Sequence, residues 1–208
     1  MVTKPKINNK RQRFLTHEEA DTLLKSLKSK SQQLHDIALL SIQCGLRAGE
    51  IFDLTWGCVD FENKTLLLMD TKPVKSRTAF MTSDVTEMLK GKGSGSPNEL
   101  VFKDRNGNKI NEVSNAFSRT VKDLGLNEGI DDTRMRVYFH TLRHTYASWM
   151  VQNGEDLYTV QKLLGHSTIA MTERYSHLAP DTFKKAVKRF DSSLKDKKKR
   201  MAIINKKI

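Results

Sequence analysis

The stretch FHTLRHTYASWM, residues Phe139 to Met150, decides how the rest of the chain is understood. Leu142, Tyr146, Trp149 and Asn153, with Met150 beside them, recur at helical spacing and predict a helix whose stripe faces the core. His140 and Arg143 then lie near the helix start and off that stripe. His140 and His144 have the i,i+4 spacing of a zinc ligand pair. The glutamate of a metalloprotease helix is absent, no obvious third ligand of Cys, Asp or Glu type lies nearby, and Arg143 would repel a cation. A helix start suits an anion, because its first N–H groups lack partners and the dipole is positive there. A guanidinium adds a planar, two-pronged donor matched to phosphate oxygens. The stretch points to phosphate rather than metal, and His144 is expected to pack in a half-polar helix face.

Charge agrees with that direction. The 208 residues carry 36 Lys and Arg against 24 Asp and Glu, a formal net charge of +12, with a pI of about 9.7. Such an excess favours a polyanionic partner, nucleic acid before a membrane surface. Cys44 and Cys58 sit in apolar surroundings at a spacing that gives neither a disulfide framework nor a zinc site. No apolar run follows the opening charges, and none approaches the roughly 18 residues of a membrane span. The expectation is a soluble protein of the cytoplasm, in a reducing compartment.

Outward from the central stretch, the pattern predicts a mainly α chain with a small antiparallel sheet, an α+β fold. LTHEEADTLLKSL opens a helix with Thr16 as N-cap and Glu19 completing a capping box. LHDIALLSIQCG is apolar nearly all round and is stopped by Gly45, the mark of a buried helix. A short helix over RAGEIFDL follows. VDF, TLLLMD and RTAFM are short extended runs that suggest a meander of at most three strands. GKGSGSPN forms a loop and RNGN an Asn-Gly turn. Residues 113–124 are expected helical with Val113, Phe117, Val121 and Leu124 on one face, as are 141–153, 156–164, 168–175 and 180–190.

Two further stretches place chemistry beside the first. CGLRAGEIFDL sets Arg47 just after a glycine helix stop and near a helix start, with Glu50 three residues on, where it could orient an arginine. An ordinary surface Arg–Glu pair is the plain alternative. LLGHSTIAMTERY ends a helix at Gly165, offers Ser167 as the next N-cap, holds His166 in a tight turn, and brings Tyr175 nine residues later. Taken singly, His166 fits a turn and Tyr175 fits a core.

Together these motifs resemble the catalytic domain of the tyrosine recombinase, or phage integrase, family: G-L-R-x-G-E, H-x-x-R, L-G-H and then a tyrosine, in that order. The resemblance runs from about Leu15 to about Phe190. It implies that family's catalytic fold, with Arg47, His140, Arg143 and His166 around a scissile phosphate and Tyr175 as nucleophile. Glu50 supports the set. The strand-to-strand lysine would be Lys72 in TKPVKSR, where Pro73 and Val74 replace small turn residues, and Lys75 competes for the role. The implied reaction is site-specific cleavage and rejoining of DNA through a 3′-phosphotyrosine, with no metal and no cofactor. The implied partner is double-stranded DNA bearing attachment sites, bound by a homotetramer whose protomers are monomeric in free solution.

The physical logic is consistent with that list. A tyrosine of reference pKa near 10 is mostly protonated at neutral pH, so cations that stabilise charge around the phosphate help both nucleophile and transition state. A lysine ammonium can protonate the leaving 5′-oxygen. By the resemblance, His140 exchanges a proton with Tyr175 and His166 donates to a phosphate oxygen. A phosphotyrosine conserves the bond energy, so a DNA 5′-hydroxyl can reverse the step without ATP.

Domain organisation is expected as a basic arm over 1–13, a catalytic domain over 14–182, and a basic, partly helical tail over 183–208. Only about fifteen residues precede the first helix, so an isolated catalytic domain from a longer integrase is expected. Two readings of the tail stay open: a lysine-rich DNA arm, or a helix through Val187, Phe190 and Leu194 whose MAII segment docks on a subunit. Two other functions stay open as well, a catalytically silent DNA-binding regulator and a type IB topoisomerase that only relaxes DNA.

Overall fold

The computed structural model describes residues 13–69, 76–179 and 187–195. Helix α1, His17–Lys30, begins with the expected capping box: Glu19 N donates to Thr16 Oγ1 at 3.1 Å and Thr16 N to Glu19 Oε2 at 2.9 Å. Its Ala20, Leu23 and Leu27 are buried at helical spacing. Helix α2, Gln32–Cys44, has buried residues on almost every side and lies between α1 and a later helix. It stops at Gly45 in the left-handed region, φ 67°, where a Cβ would stand 2.6 Å from Tyr146 Cδ1. Helix α3, Ala48–Phe52, starts immediately afterwards with Arg47 at its N-cap position. Cys44 is buried, and burial pushes its thiol up to about 12, which suits a packing role.

Strands β1 (Val59–Asp60), β2 (Thr65–Leu68) and β3 (Arg77–Phe80) form the expected antiparallel meander in that order. Leu66 pairs with Ala79 and Leu68 with Arg77, so the alternation of β3 turns Ala79 and Arg77 to the inner face. Leu67, Met69 and Phe80 are exposed on the other side. No element is expected from the sequence over 83–92, yet helix α4, Ser83–Lys92, forms there with Thr82 as its cap. Its buried face is only Val85, Thr86 and Leu89, too short a stripe to stand out.

Helix α5 runs Asn115–Asp123, two residues later than expected at its start, because the Ser114 hydroxyl caps it by accepting from Ala116 N. Helix α6, Phe139–Gln152, is the centre of the molecule, with α2 on one flank and helix α7, Leu157–Leu164, on another. The expected stripe on α6 needs correction. Thr141, Leu142, Thr145, Ala147, Ser148 and Val151 are buried, Tyr146, Trp149 and Met150 are half-buried, and Asn153 is exposed. Arg143 lies inside as well, at 3% exposure. Small residues let neighbouring elements close over this helix from several sides, which a one-face stripe does not anticipate. Leu15 is fixed to it at both backbone groups, donating to Thr145 Oγ1 at 2.9 Å and accepting from Trp149 Nε1 at 3.1 Å.

Residues 168–175 do not form the expected helix. Two short 3₁₀ segments, Ile169–Met171 and Glu173–Leu178, take their place. Thr168, Ile169 and Thr172 are β-branched, which weakens the preference for a regular helix here. Ser167 is not the expected cap: its hydroxyl faces Met171 Sδ at 3.6 Å, and Thr168 occupies the N-cap position. Residues 187–195 are helical, with Val187, Phe190 and Leu194 exposed. The rest of the expected 180–190 helix, the arm over 1–12 and the MAII segment lie outside the described residues. Among those residues, no helix is long and apolar enough to cross a membrane.

Candidate active site

Three chain segments end at the same place: the α2–α3 turn, the first turns of α6, and the run from the end of α7 to Tyr175. Glu50, placed on the first turn of α3, ties them together. Arg47 donates to it twice, through its backbone N at 2.7 Å and Nη1 at 2.8 Å. Arg77 grips the same carboxylate with Nε at 3.2 Å and Nη2 at 2.8 Å, and its Nη1 donates to Leu163 O at 2.6 Å. Arg143 Nη1 stands 3.7 Å from Glu50 Oε2. Burial alone would raise the Glu50 carboxyl, but the Arg77 charge and hydrogen bond, the Arg47 N–H and the Arg143 charge hold it below the ordinary carboxylate value. The expected supporting residue is the one anion that three guanidiniums share.

Arg143 is fixed from behind. Its Nη1 donates to Gly45 O and its Nη2 to Leu164 O at 2.5 Å, so the C-terminal carbonyls of α2 and α7 orient it. Burial and then the like charge of Arg47 push its pKa down to about 9, which leaves it cationic at neutral pH. Arg47 is the freer of the two, its side chain 41% exposed.

His166 follows Gly165, which has φ 63° at the end of α7. Its carbonyl accepts from Gln161 Nε2 at 3.1 Å, and its Nδ1 lies 2.9 Å from the buried Thr172 hydroxyl. Burial, followed by the charges of Arg143 and Arg47, pushes His166 down to about 4. It is neutral at physiological pH. When the Thr172 hydroxyl donates to Nδ1, the proton sits on Nε2 and can be offered to an acceptor.

Tyr175 packs with Ala147, Val151, Val160 and Leu164 and is only 5% exposed. Its hydroxyl lies 2.5 Å from Nδ1 of His144. Burial pushes its pKa up to about 12, against the opposing charges of Arg174 and Arg143. His144 is thus a partner of the phenol rather than the packing residue expected from sequence. His140 is exposed at the first turn of α6 and meets His144 edge-on, ring centroids 4.8 Å apart.

A cavity of about 120 Å³ collects the set: Arg47, His140, Arg143, His166 and Tyr175 line it, joined by His144, Arg174 and Met171. No carboxylate is among its lining residues. It adjoins a wider groove of about 700 Å³ through their common residues Arg47, His166 and Met171. Among the described residues no group of three or more His, Cys, Asp or Glu is arranged to hold a metal. Lys72 and its competitor Lys75 lie outside the described residues.

Arg77 and His144 belong to the site without being expected in it. For His144 the i,i+4 relation to His140 is visible in the sequence, where it fits a metal spacing. For Arg77 the signal is the inward position on an alternating strand, which becomes visible only once the register is known.

Comparison with known proteins gives one consistent answer. The tyrosine recombinase XerA of Thermococcus onnurineus (strain NA1) is 30% identical over 186 residues, covering 88% of this chain and 64% of its own length. The chain therefore spans less than two thirds of that relative. The catalytic domain of bacteriophage HP1 integrase superposes with a TM-score of 0.64 at 29% identity, over 85% of this chain and 94% of that one. The Tn1549 transposon integrase, solved with circular intermediate DNA, shares the fold at a TM-score of 0.67 and 22% identity, over 91% of this chain and 69% of that one. The sequence pattern of the phage integrase family matches residues 13–182. This chain belongs to the phage integrase family.

Proposed function

We propose that this chain is the catalytic part of a site-specific DNA recombinase that cuts and rejoins double-stranded DNA through a 3′-phosphotyrosine. The observation that carries the reading is the shared pocket: a phenol held by an imidazole, with the guanidiniums of Arg47, Arg143 and Arg174 and a neutral histidine in the same lining and no carboxylate among them. Such a pocket is built for an anion, and the phenol is the one nucleophile placed to attack it.

In this reading the DNA phosphodiester enters from the wider groove and sets its non-bridging oxygens against Arg47, Arg143 and the Nε2–H of His166. Tyr175 Oη attacks phosphorus, its proton passes to His144 Nδ1, and the bond from phosphorus to the 5′-oxygen breaks. The 5′-oxygen leaves as a hydroxyl after taking a proton from a general acid, for which Lys72 and Lys75 are the candidates. His140, packed edge-on against His144, orients that ring. Each preorganised arginine should contribute about a hundredfold in rate, because the pentavalent transition state carries more charge than the diester. The reverse attack by a 5′-hydroxyl from another duplex joins new partners. On the DNA the working unit would be a homotetramer of protomers that are monomeric in free solution, acting in the host cytoplasm. The DNA complex of the Tn1549 integrase, a fold neighbour, supports the substrate class.

The test is covalent trapping. Nicked duplexes with randomised recognition arms are incubated with the protein, and DNA that stays attached through denaturing gels is sequenced. A wild-type adduct that disappears in Tyr175→Phe supports the reading. DNA binding with no adduct would favour a silent regulator, and adducts that never join two distinct duplexes would favour relaxation alone.

A further inference from the structure

Arg174 has no role in the site as described so far, and its position is unusual. It directly precedes Tyr175 in the Glu173–Leu178 turn and lines the same small cavity as Arg47, Arg143 and His166. Its Nε is buried and, among the described residues, is the single buried side-chain nitrogen or oxygen with no hydrogen-bond partner. A buried guanidinium donor left unpaired is costly and calls for an explanation. Arg77 and Arg143 show the contrast. Each has donors committed to a carboxylate or to backbone carbonyls, and these contacts hold neighbouring segments in place. Arg174 is given no such anchor at Nε.

A partner for this guanidinium within the cavity must be an acceptor, must fit a narrow space, and must tolerate several cations. A carboxylate from the protein is absent from that lining. A tetrahedral anion meets every condition, since one phosphate oxygen can accept from two donors at once.

We propose that Arg174 is a further catalytic residue of this site, its guanidinium donating to a non-bridging oxygen of the same DNA phosphodiester that Tyr175 attacks. This rests on the recombinase reading given above. The assignment gives the site a third guanidinium on the reacting group, carried by the same turn as the nucleophile, so that both arrive at the phosphate together. The Arg174 charge also opposes the upward push that burial exerts on the Tyr175 phenol.

The experiment uses the full chain and a nicked duplex chosen by the covalent trapping described above. The duplex is made with either a natural diester or a methylphosphonate at the scissile position, as separated stereoisomers. A methylphosphonate replaces one charged non-bridging oxygen by a methyl group, so an arginine serving that oxygen loses its task. R174Q should slow adduct formation on the diester by about a hundredfold. On one methylphosphonate isomer the deficit should shrink at least tenfold. R174K, which keeps the charge, should recover at least tenfold of the loss on the diester. The inference is overturned by a deficit below tenfold on the diester, by an equal deficit on both isomers and the diester, or by no recovery in R174K. An equal deficit would mark a purely structural residue. Absence of any wild-type adduct would instead remove the recombinase reading itself.

Discussion

The Tyr175 hydroxyl and Nδ1 of His144 stand 2.5 Å apart, across 31 residues of sequence, inside a buried cluster. With the proton on Nε2, that contact gives the phenol an acceptor at the point where burial makes it hardest to ionise. Replacing His144 by Gln should lower covalent cleavage by about a hundredfold, the usual scale for a lost general base. Binding of the same duplex should be unchanged. Wild-type cleavage rates in His144→Gln would move the proton acceptor to His140.

Glu50 faces Arg47, Arg77 and Arg143 and is largely buried. Glu50→Gln removes the shared negative charge and leaves three guanidiniums repelling one another. We expect a loss of about 2 kcal/mol in denaturant unfolding, below the range for fully buried pairs because Arg47 reaches solvent. The sign of the pH dependence follows from the depressed carboxyl. Its stabilisation is complete above the ordinary carboxylate value near 4.3 and is lost as pH falls through the lower folded value. A variant as stable as wild type at pH 7 would show that the arginines are held by other contacts.

Gly165 fixes the turn that delivers His166. Its φ of 63° disfavours any side chain, and a Cβ there would stand 2.9 Å from Arg77 Nε. Arg77 has little room to yield, because Glu50 and the Leu163 carbonyl hold its guanidinium. Gly165→Ala should therefore cost more than the roughly 1–2 kcal/mol of a left-handed alanine alone. Calorimetric unfolding checks this, and a cost within that range would mean that Arg77 moves freely.

How much of this was legible in the sequence depends on how local the cause is. The α1 capping box, the Gly45 stop and the three-strand meander are set by neighbouring residues, and the structure has them where expected. The positions of Arg47, His140, Arg143, His166 and Tyr175 could be named from motifs, but of their partners only Glu50, three residues from Arg47, could be. Arg143 was expected on an outer face because one-face periodicity says nothing of two carbonyl ends, from Gly45 and Leu164, arriving to receive a buried cation. His144 and Arg77 act through residues 31 and 27 positions away, at distances that only the packed chain brings together. The 168–175 segment forms short 3₁₀ turns rather than the expected helix, and its Tyr175 meets His144 of α6, a long-range contact that local pattern does not show.

His166 carries the last prediction. Burial and four neighbouring arginines lower it to about 4, from an ordinary value near 6.5. In the free protein its ring resonances should stay those of neutral imidazole down to pH 5 and move only near pH 4. The unfolded chain takes up that proton at higher pH, so the contribution to stability is present above about 6.5 and fades as pH drops toward 4. Inorganic phosphate at the pocket adds negative charge beside the ring, so the titration should shift upward as phosphate is added. Ring resonances followed by NMR with and without phosphate check both statements. A free-protein midpoint near 6.5, unaffected by phosphate, would mean that His166 faces solvent rather than the arginine cluster.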